Sequence, residues 1–230
     1  MGVSHTVRGL LRRLPGRQAV RTIAFRTGAI RWWWRYRHLI DGSYTEAPPP
    51  VIKHDPHREQ LWSHFESVHA SSLIEIGCAD GANLVLFAER APRVALSGVD
   101  INPHALAIAE QRVRDAGGTA GTFRHGSAEH VPAPDASADV ALSDAVFMYL
   151  PQAQAVAALR EMRRVARRAM LLHTFVDDTL AASAVVGGNW VHPLSALLRL
   201  AVPGATVARE RSKNTGGQWA LYGELFVVTW

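Results

Sequence analysis

Apolar and polar positions follow a regular rhythm from residue 72 onward. Short apolar runs fall near 72–77, 94–100, 121–125, 138–144 and 169–175. Between and after them, stretches with apolar residues at helical spacing fall near 82–91, 103–116, 151–167 and 193–201. This alternation predicts βαβ units on a parallel sheet. The tail breaks the rhythm with two strand-like segments, 205–211 and 220–229, joined by a glycine-containing loop, which predicts an antiparallel edge. The pattern gives an α/β fold, a doubly wound, mostly parallel seven-stranded sheet whose last strand is antiparallel. Start and stop signals agree: Asp55-Pro56 opens a helix reaching about His69, Asn102-Pro103 opens the second helix of the alternating series, and Gly117-Gly118 closes it.

Upstream the pattern is different. Residues 1–40 carry nine arginines, no lysine and no acid, and include "AIRWWWRYRHLI". This predicts a basic, aromatic, helical extension. It can lie in a membrane interface with Trp and Leu inward and Arg toward anionic headgroups, or pack on its own domain, or serve as a targeting or nucleic-acid arm. Residues 41–54, with "DGSYTEAPPPV", form a linker because no helix or central strand accepts three successive prolines. The main domain is then 55–230.

Composition narrows the picture. At 48% apolar, the 230 residues can fill a core. The net charge of +5 belongs to the extension, since the rest holds sixteen basic against twenty acidic residues. A mildly acidic body argues against nucleic acid as a partner. The single cysteine, Cys78, excludes an internal disulfide and suits a reducing compartment, and no apolar run approaches the length of a spanning helix. The expected location is cytoplasmic, with the extension offering a peripheral contact at the inner membrane face. Oligomeric state is not legible.

One stretch carries the chemistry. "SSLIEIGCADGANLVLF", residues 71–87, reads as strand, tight turn and helix, with little side chain at the turn. Bare backbone at a helix N-terminus lets a ligand approach main-chain N–H groups. Asp100 closes the next strand, nineteen residues beyond Gly81. In a doubly wound sheet that carboxylate emerges beside the turn and can accept both hydroxyls of a ribose. The spacing E-x-G-x-A-x-G, with Asp80 inside it, departs from the pyrophosphate-binding G-x-G-x-x-G and disfavours a nicotinamide cofactor.

The turn resembles motif I of the class I S-adenosylmethionine (SAM) methyltransferases. "GVDINP" is similar to their ribose-binding strand end, "GSAEHVPAPDASADVAL" to their G-D-A-E-x-L-P-F-P-D-x-S-F-D-x-V segment, and "SDAVFMYL" to their fourth-strand exit. The resemblance covers about 55–230 and is densest over 72–150. It implies a Rossmann-like methyltransferase fold with SAM as cofactor. By position, Glu75, Gly77, Ala79 and Gly81 surround the methionine part, with Asp80 and Asn83 near its polar end. Asp100 holds the ribose, Ile101 packs on the adenine face, Ser127 and Ala128 sit at the adenine edge, and Ser143 contacts the cofactor through its backbone. Ala79 replaces the family's middle glycine, and Ser127 replaces the aspartate that accepts from the adenine amino group.

Methyl transfer to a hydroxyl needs an aligned lone pair and a base. Candidates at the carboxyl ends of the strands are His192, His173 and Asp144. His192 is preferred, because His192-Pro193 reads as N-cap and first residue of a helix facing the cleft. The bland alternatives are a turn cap for Asp144, a satisfied core histidine for His173 and a plain cap for His192. Tyr149, Trp190 and Trp219 are expected at the acceptor mouth. The Asp177-Asp178 pair reads as a solvated loop, and His54 and His57 as surface residues, so no metal is expected. The function implied is O-methylation of a small-molecule, lipid-linked or glycan acceptor. The alternative is a membrane-associated interaction protein with a retained, catalytically weak methyltransferase fold.

Overall fold

The structure is a computed structural model that describes residues 22–25, 28–41, 43–44 and 55–230. The basic segment before residue 22 and most of the predicted linker lie outside the described residues.

Nine strands are present among the described residues: β1 (Ser72–Ile76), β2 (Ala95–Asp100), β3 (Thr119–His125), β4 (Ala138–Asp144), β5 (Ala166–Phe175), β6 (Ala184–Val186), β7 (Asn189–Val191), β8 (Thr206–Arg211) and β9 (Gly223–Thr229). Seven of them form one sheet in the order β3-β2-β1-β4-β5-β9-β8. The first five are parallel neighbours, and β9 runs antiparallel to both β5 and β8. The final pair therefore differs from expectation in one respect: the antiparallel strand β9 is internal, and β8 is the edge. Leu225, Phe226 and Val228 are buried while every residue of β8 is exposed, so the apolar strand takes the inner position and the charged one the rim.

Helices α1 (Ile30–Asp41), α2 (Pro56–Ser67), α3 (Ala82–Arg90), α4 (Pro103–Asp115), α5 (Gln152–Val165), α6 (Leu194–Ala201) and the short α7 (Trp219–Tyr222) accompany the sheet. Period-two alternation sorts the strand residues between its faces. Leu73, Val140, Leu142, Ala169 and Leu171 pack with Leu61 and Phe65 of α2 and Leu84 and Phe87 of α3. Ile74, Ile76, Ala141, Met170 and Leu172 pack on the other face with Leu159 and Met162 of α5 and Leu197 of α6. The predicted caps of α2 and α4 are present: Asp55 accepts from the His57 amide, and Asn102 from those of His104 and Ala105.

Two local features depart from the sequence pattern. Strands β6 and β7 form a small separate hairpin, turned by Gly187 and Gly188, both at positive φ. Helix α6 starts at Leu194, not at Pro193, and its amide at Ser195 is capped by the Asp178 side chain at 3.0 Å. The internal position of β9 gives a direct check. Phe226→Ala removes a fully buried ring and is expected to destabilise by about 3–5 kcal/mol in urea unfolding. A cost below about 1 kcal/mol, the range of surface substitutions, would place β9 outside the core.

Candidate functional site

The turn after β1 is built on left-handed backbone. Gly77, Ala79 and Gly81 have φ of 81°, 48° and 83°. A Cβ on Gly77 would lie 2.2 Å from the Val146 side chain, so both conformation and the closeness of the loop after β4 require glycine there. The Asp100 carboxylate ties this turn to β2. It accepts from the Ala79 amide at 2.8 Å and from the Asn102 amide at 2.7 Å.

A cavity of about 320 Å³ opens beside this turn. Gly77, Ala79, Asp100, Ile101, Ser127, Ala128, Asp144 and Tyr149 all line it. The structure thus brings together six of the eleven residues assigned by position. Others lie elsewhere. Asp80, expected near a ligand's polar end, is not among the residues lining the cavity and pairs with Arg112 on α4 at 2.6 Å. Gly81 serves as the N-cap of α3. Ser143 is fully buried, with its hydroxyl donating to the Ile76 carbonyl at 3.2 Å. Glu75 and Asn83 stand behind the cavity wall, where Asn83 Nδ2 donates to Glu75 at 2.7 Å and to Asp144 at 3.0 Å. Burial pushes the Glu75 carboxyl up to about 8, with the Asn83 hydrogen bond opposing the shift and the Asp144 charge adding to it. Next to them, Arg58 Nη1 reaches Asn83 Oδ1 at 3.4 Å, while its Nε is buried with no partner among the described residues.

The polar residues at the acceptor side converge on Asp144. Because Val140 and Leu142 face α2 and α3, Asp144 does too. Ala169 and Leu171 bring His173 to the same face, directly opposite Asp144 in the β4–β5 ladder. His173 Nδ1 lies 2.7 Å from Asp144 Oδ1, and His57 Nε2 lies 3.2 Å from Asp144 Oδ2. His57 was expected at the surface; it is buried at 6% exposure, because the first turn of α2 packs over the ends of β4 and β5. Its Nδ1 meets Asp55, so the ring stands between two carboxylates. Burial pulls the His57 pKa down, but the bond to Asp144 and the charges of Asp144 and Asp55 prevail and hold it above its ordinary value. Burial alone would raise Asp144; the hydrogen bonds from His173 and His57 hold it well below the carboxylate range instead. His173 Nε2 meets the Ser212 hydroxyl at 2.6 Å, and its ring is stacked between His57 and Trp219 at centroid distances of 5.0 and 4.3 Å.

His192 does not join this group. It is fully buried, and its two ring nitrogens meet Ser183 Oγ at 2.7 Å and the Phe147 carbonyl at 2.9 Å. Burial lowers its pKa, against the Phe147 hydrogen bond. Its partners make it a fastener between β7 and the 3-10 turn Phe147–Tyr149, which corrects the reading of a helix cap facing the cleft. Trp190 also lies off the cavity, with its ring 6.2 Å from that of Phe25. Asp177 is occupied by the amide and hydroxyl of Thr179, and Asp178 by Ser195 and Arg209.

The extension supplies residues that pattern reading did not assign to the site. Ile30, Arg31, Trp34 and Arg37 of α1 line the cavity with Tyr44. Trp33 is 2% exposed, the Trp34 and Tyr149 rings lie 4.7 Å apart, and Asn102 Nδ2 donates to the Trp34 carbonyl at 3.1 Å. Arg31 pairs with Glu129, beside Ser127 and Ala128. Trp32, by contrast, is 52% exposed.

Residues 73–169 match the family described as "Methyltransferase domain". No curated protein sequence matches the chain. Among solved structures it is similar to magnesium protoporphyrin IX methyltransferase from Synechocystis PCC 6803 with bound SAM, at 16% identity and TM-score 0.58, over 94% of this chain and 97% of that one. It is also similar to a SAM-dependent methyltransferase from Leishmania major (13% identity, TM-score 0.60, covering 97% and 81%) and another from Aquifex aeolicus (14%, 0.56, covering 76% and 94%). At these identities the likeness is one of fold.

The buried Glu75 yields a pH prediction. The folded protein keeps it protonated to about pH 8, whereas the unfolded chain ionises it near its ordinary 4.5. Over that window the folded state binds the extra proton, so this group's contribution makes stability fall as pH rises. Glu75→Gln keeps an acceptor for Asn83 and carries no charge, so it should flatten the decline between pH 5 and pH 8 in urea titrations. Parallel slopes for the two proteins would mean that Glu75 is ionised in the fold.

Proposed function

Starting from a chain that carries a class I SAM-dependent methyltransferase domain, we propose that its acceptor is a small molecule methylated on a hydroxyl oxygen, with Asp144 at the acceptor side. The observation that supports this reading is the position of Asp144: it lines the same cavity as Gly77 and Asp100 and carries the two histidines behind it. SAM supplies an electrophilic methyl group on a sulfonium. The residues present fit it. Gly77 and Ala79 offer backbone without bulk, Asp100 retains free lone pairs for ribose hydroxyls, Ile101 and Ala128 provide apolar walls, and the Asp144 charge favours the cationic end. Arg31 and Arg37 of α1 are the cations that line this cavity.

The chain's own residues would then divide the work. Asp144 accepts the hydrogen bond of the incoming hydroxyl and aligns its lone pair. Proton uptake belongs to Asp144 and its histidines as a unit, because the hydrogen bonds from His173 and His57 hold Asp144 itself ionised. Tyr149 and α1 roof the cavity and exclude water.

SAM and its demethylated product should bind at micromolar level in calorimetry. Asp100→Ala should weaken both by about 1.5–3 kcal/mol for each charge-assisted hydrogen bond that it removes. Unchanged affinity would remove Asp100 from the ribose. Asp144→Asn should lower methyl transfer to extracted acceptors by about 10²-fold or more with affinity for the demethylated product, which lacks the sulfonium charge, retained. If turnover is unaffected, an amine or activated carbon, which needs no base, becomes the better acceptor.

A second reading concerns residues 1–40 as a contact for an anionic membrane surface and a lipid-linked acceptor. It is favoured by the exposed Trp32 and Ile23 on an extension rich in arginine. No helix among the described residues is long and apolar enough to cross a membrane. The full chain should bind anionic vesicles in a salt-sensitive way and a chain starting at residue 52 should not; equal binding by both would remove the anchor. The shortened chain should also bind SAM more weakly, since α1 forms part of the cavity wall.

A further inference from the structure

We propose that His57, Asp144 and His173 form a binding site for a divalent transition-metal ion. Their donor atoms all lie within 4.8 Å of one another and come from three elements, the start of α2 and the ends of β4 and β5. Two imidazoles and one carboxylate make a nitrogen-rich set that suits zinc, cobalt or iron and not magnesium or calcium.

The orientation of the rings points the same way. His57 turns Nε2 toward Asp144 and gives Nδ1 to Asp55; His173 turns Nδ1 toward Asp144 and gives Nε2 to Ser212. Each histidine thus has a fixed inward nitrogen and an outer partner of its own. That is how metal-bound imidazoles are held: a carboxylate or other polar group on the far nitrogen sets the tautomer and aims the ring. Asp144 is likewise held from behind by Asn83. In a tetrahedral set at about 2.1 Å, donors stand about 3.4 Å apart. The histidine contacts to Asp144, 3.2 Å to Oδ2 and 2.7 Å to Oδ1, are near that spacing, so ligation through a single oxygen requires the remaining donor separations, all within 4.8 Å, to close.

The site also has an open side. Asp144 lines the cavity although neither histidine does, so an ion on its carboxylate would border the acceptor space. An ion there would act as a Lewis acid on an acceptor hydroxyl, where the protein alone offers a hydrogen-bonded carboxylate. Metal binding itself is read without SAM or acceptor, so it stands or falls separately from the O-methylation reading.

The test uses the full chain, stripped with a chelator and titrated with Co²⁺ alone while visible absorption is followed. One Co²⁺ per chain is expected, with quenching of Trp219, whose ring stacks on His173; the quenched component should vanish in Trp219→Phe. His57→Gln and His173→Gln should each weaken Co²⁺ binding at least tenfold, and His104→Gln, remote from the cluster, should not. Asp55→Asn keeps a helix-capping side chain but removes the charged partner of His57, and should weaken binding by about 10- to 100-fold even if the histidine variants fold poorly. Absence of stoichiometric binding, or equal affinity in wild type, Asp55→Asn and both histidine variants, would overturn the proposal.

Discussion

Three adjacent strands each carry, at or near the C-terminal end, a polar side chain turned to the same face of the sheet, and much of the molecule answers to that constraint. Glu75, Asp144 and His173 occupy positions that strand alternation otherwise fills with leucine and valine, under the helices α2 and α3. Buried polar groups cost free energy unless they are hydrogen-bonded. Asn83 on α3 and His57 on α2 meet that need, and in doing so they fix where both helices begin relative to the sheet. The same constraint leaves Glu75 with one unpartnered oxygen among the described residues, in keeping with its elevated pKa.

Chemistry that depends on neighbours in sequence was the most legible. The strand, bare turn and helix of 72–90, the carboxylate ending β2 and the capped starts of α2 and α4 all follow from local spacing and backbone sterics. The gathering of Gly77, Ala79, Asp100, Ile101, Ser127 and Ala128 around one cavity follows from the topology those elements dictate. Alternation also contained more than was drawn from it: with β4 and β5 side by side, Asp144 and His173 had to share a face.

What remained hidden depended on packing between distant segments. Asp80 is claimed by Arg112, thirty-two residues away, through a helix–helix contact that the turn does not reveal. His57 reads as a surface residue because a helix's first turn is ordinarily wet; only the lean of α2 over two strand ends buries it. His192 followed a sound rule about residues before proline, but the helix begins later and its cap comes from Asp178. The hairpin at 184–191 had a readable signal, Val-Val-Gly-Gly-Asn-Trp, in a turn type that two positive-φ glycines favour. The extension was the least tractable: tryptophans alternating with arginines suit a lipid interface or a cavity roof equally well, and α1 uses both kinds of face, with Trp33 and Trp34 inward and Trp32 outward.

The inner position of β9 has a consequence for how the chain assembles. β8 is synthesised before β9 yet pairs with no other strand of the sheet. Until residues 223–229 emerge, β5 presents an open ladder of N–H and C=O groups and β8 has nothing to join. At about 5–20 residues per second that interval is brief but much longer than hairpin formation. On the ribosome the β5 flank would stay uncovered until β9 is available to pair with both β5 and β8. A chain truncated before residue 223 would keep the turn, Asp100 and Asp144 in its sequence, yet leave that flank available to other chains.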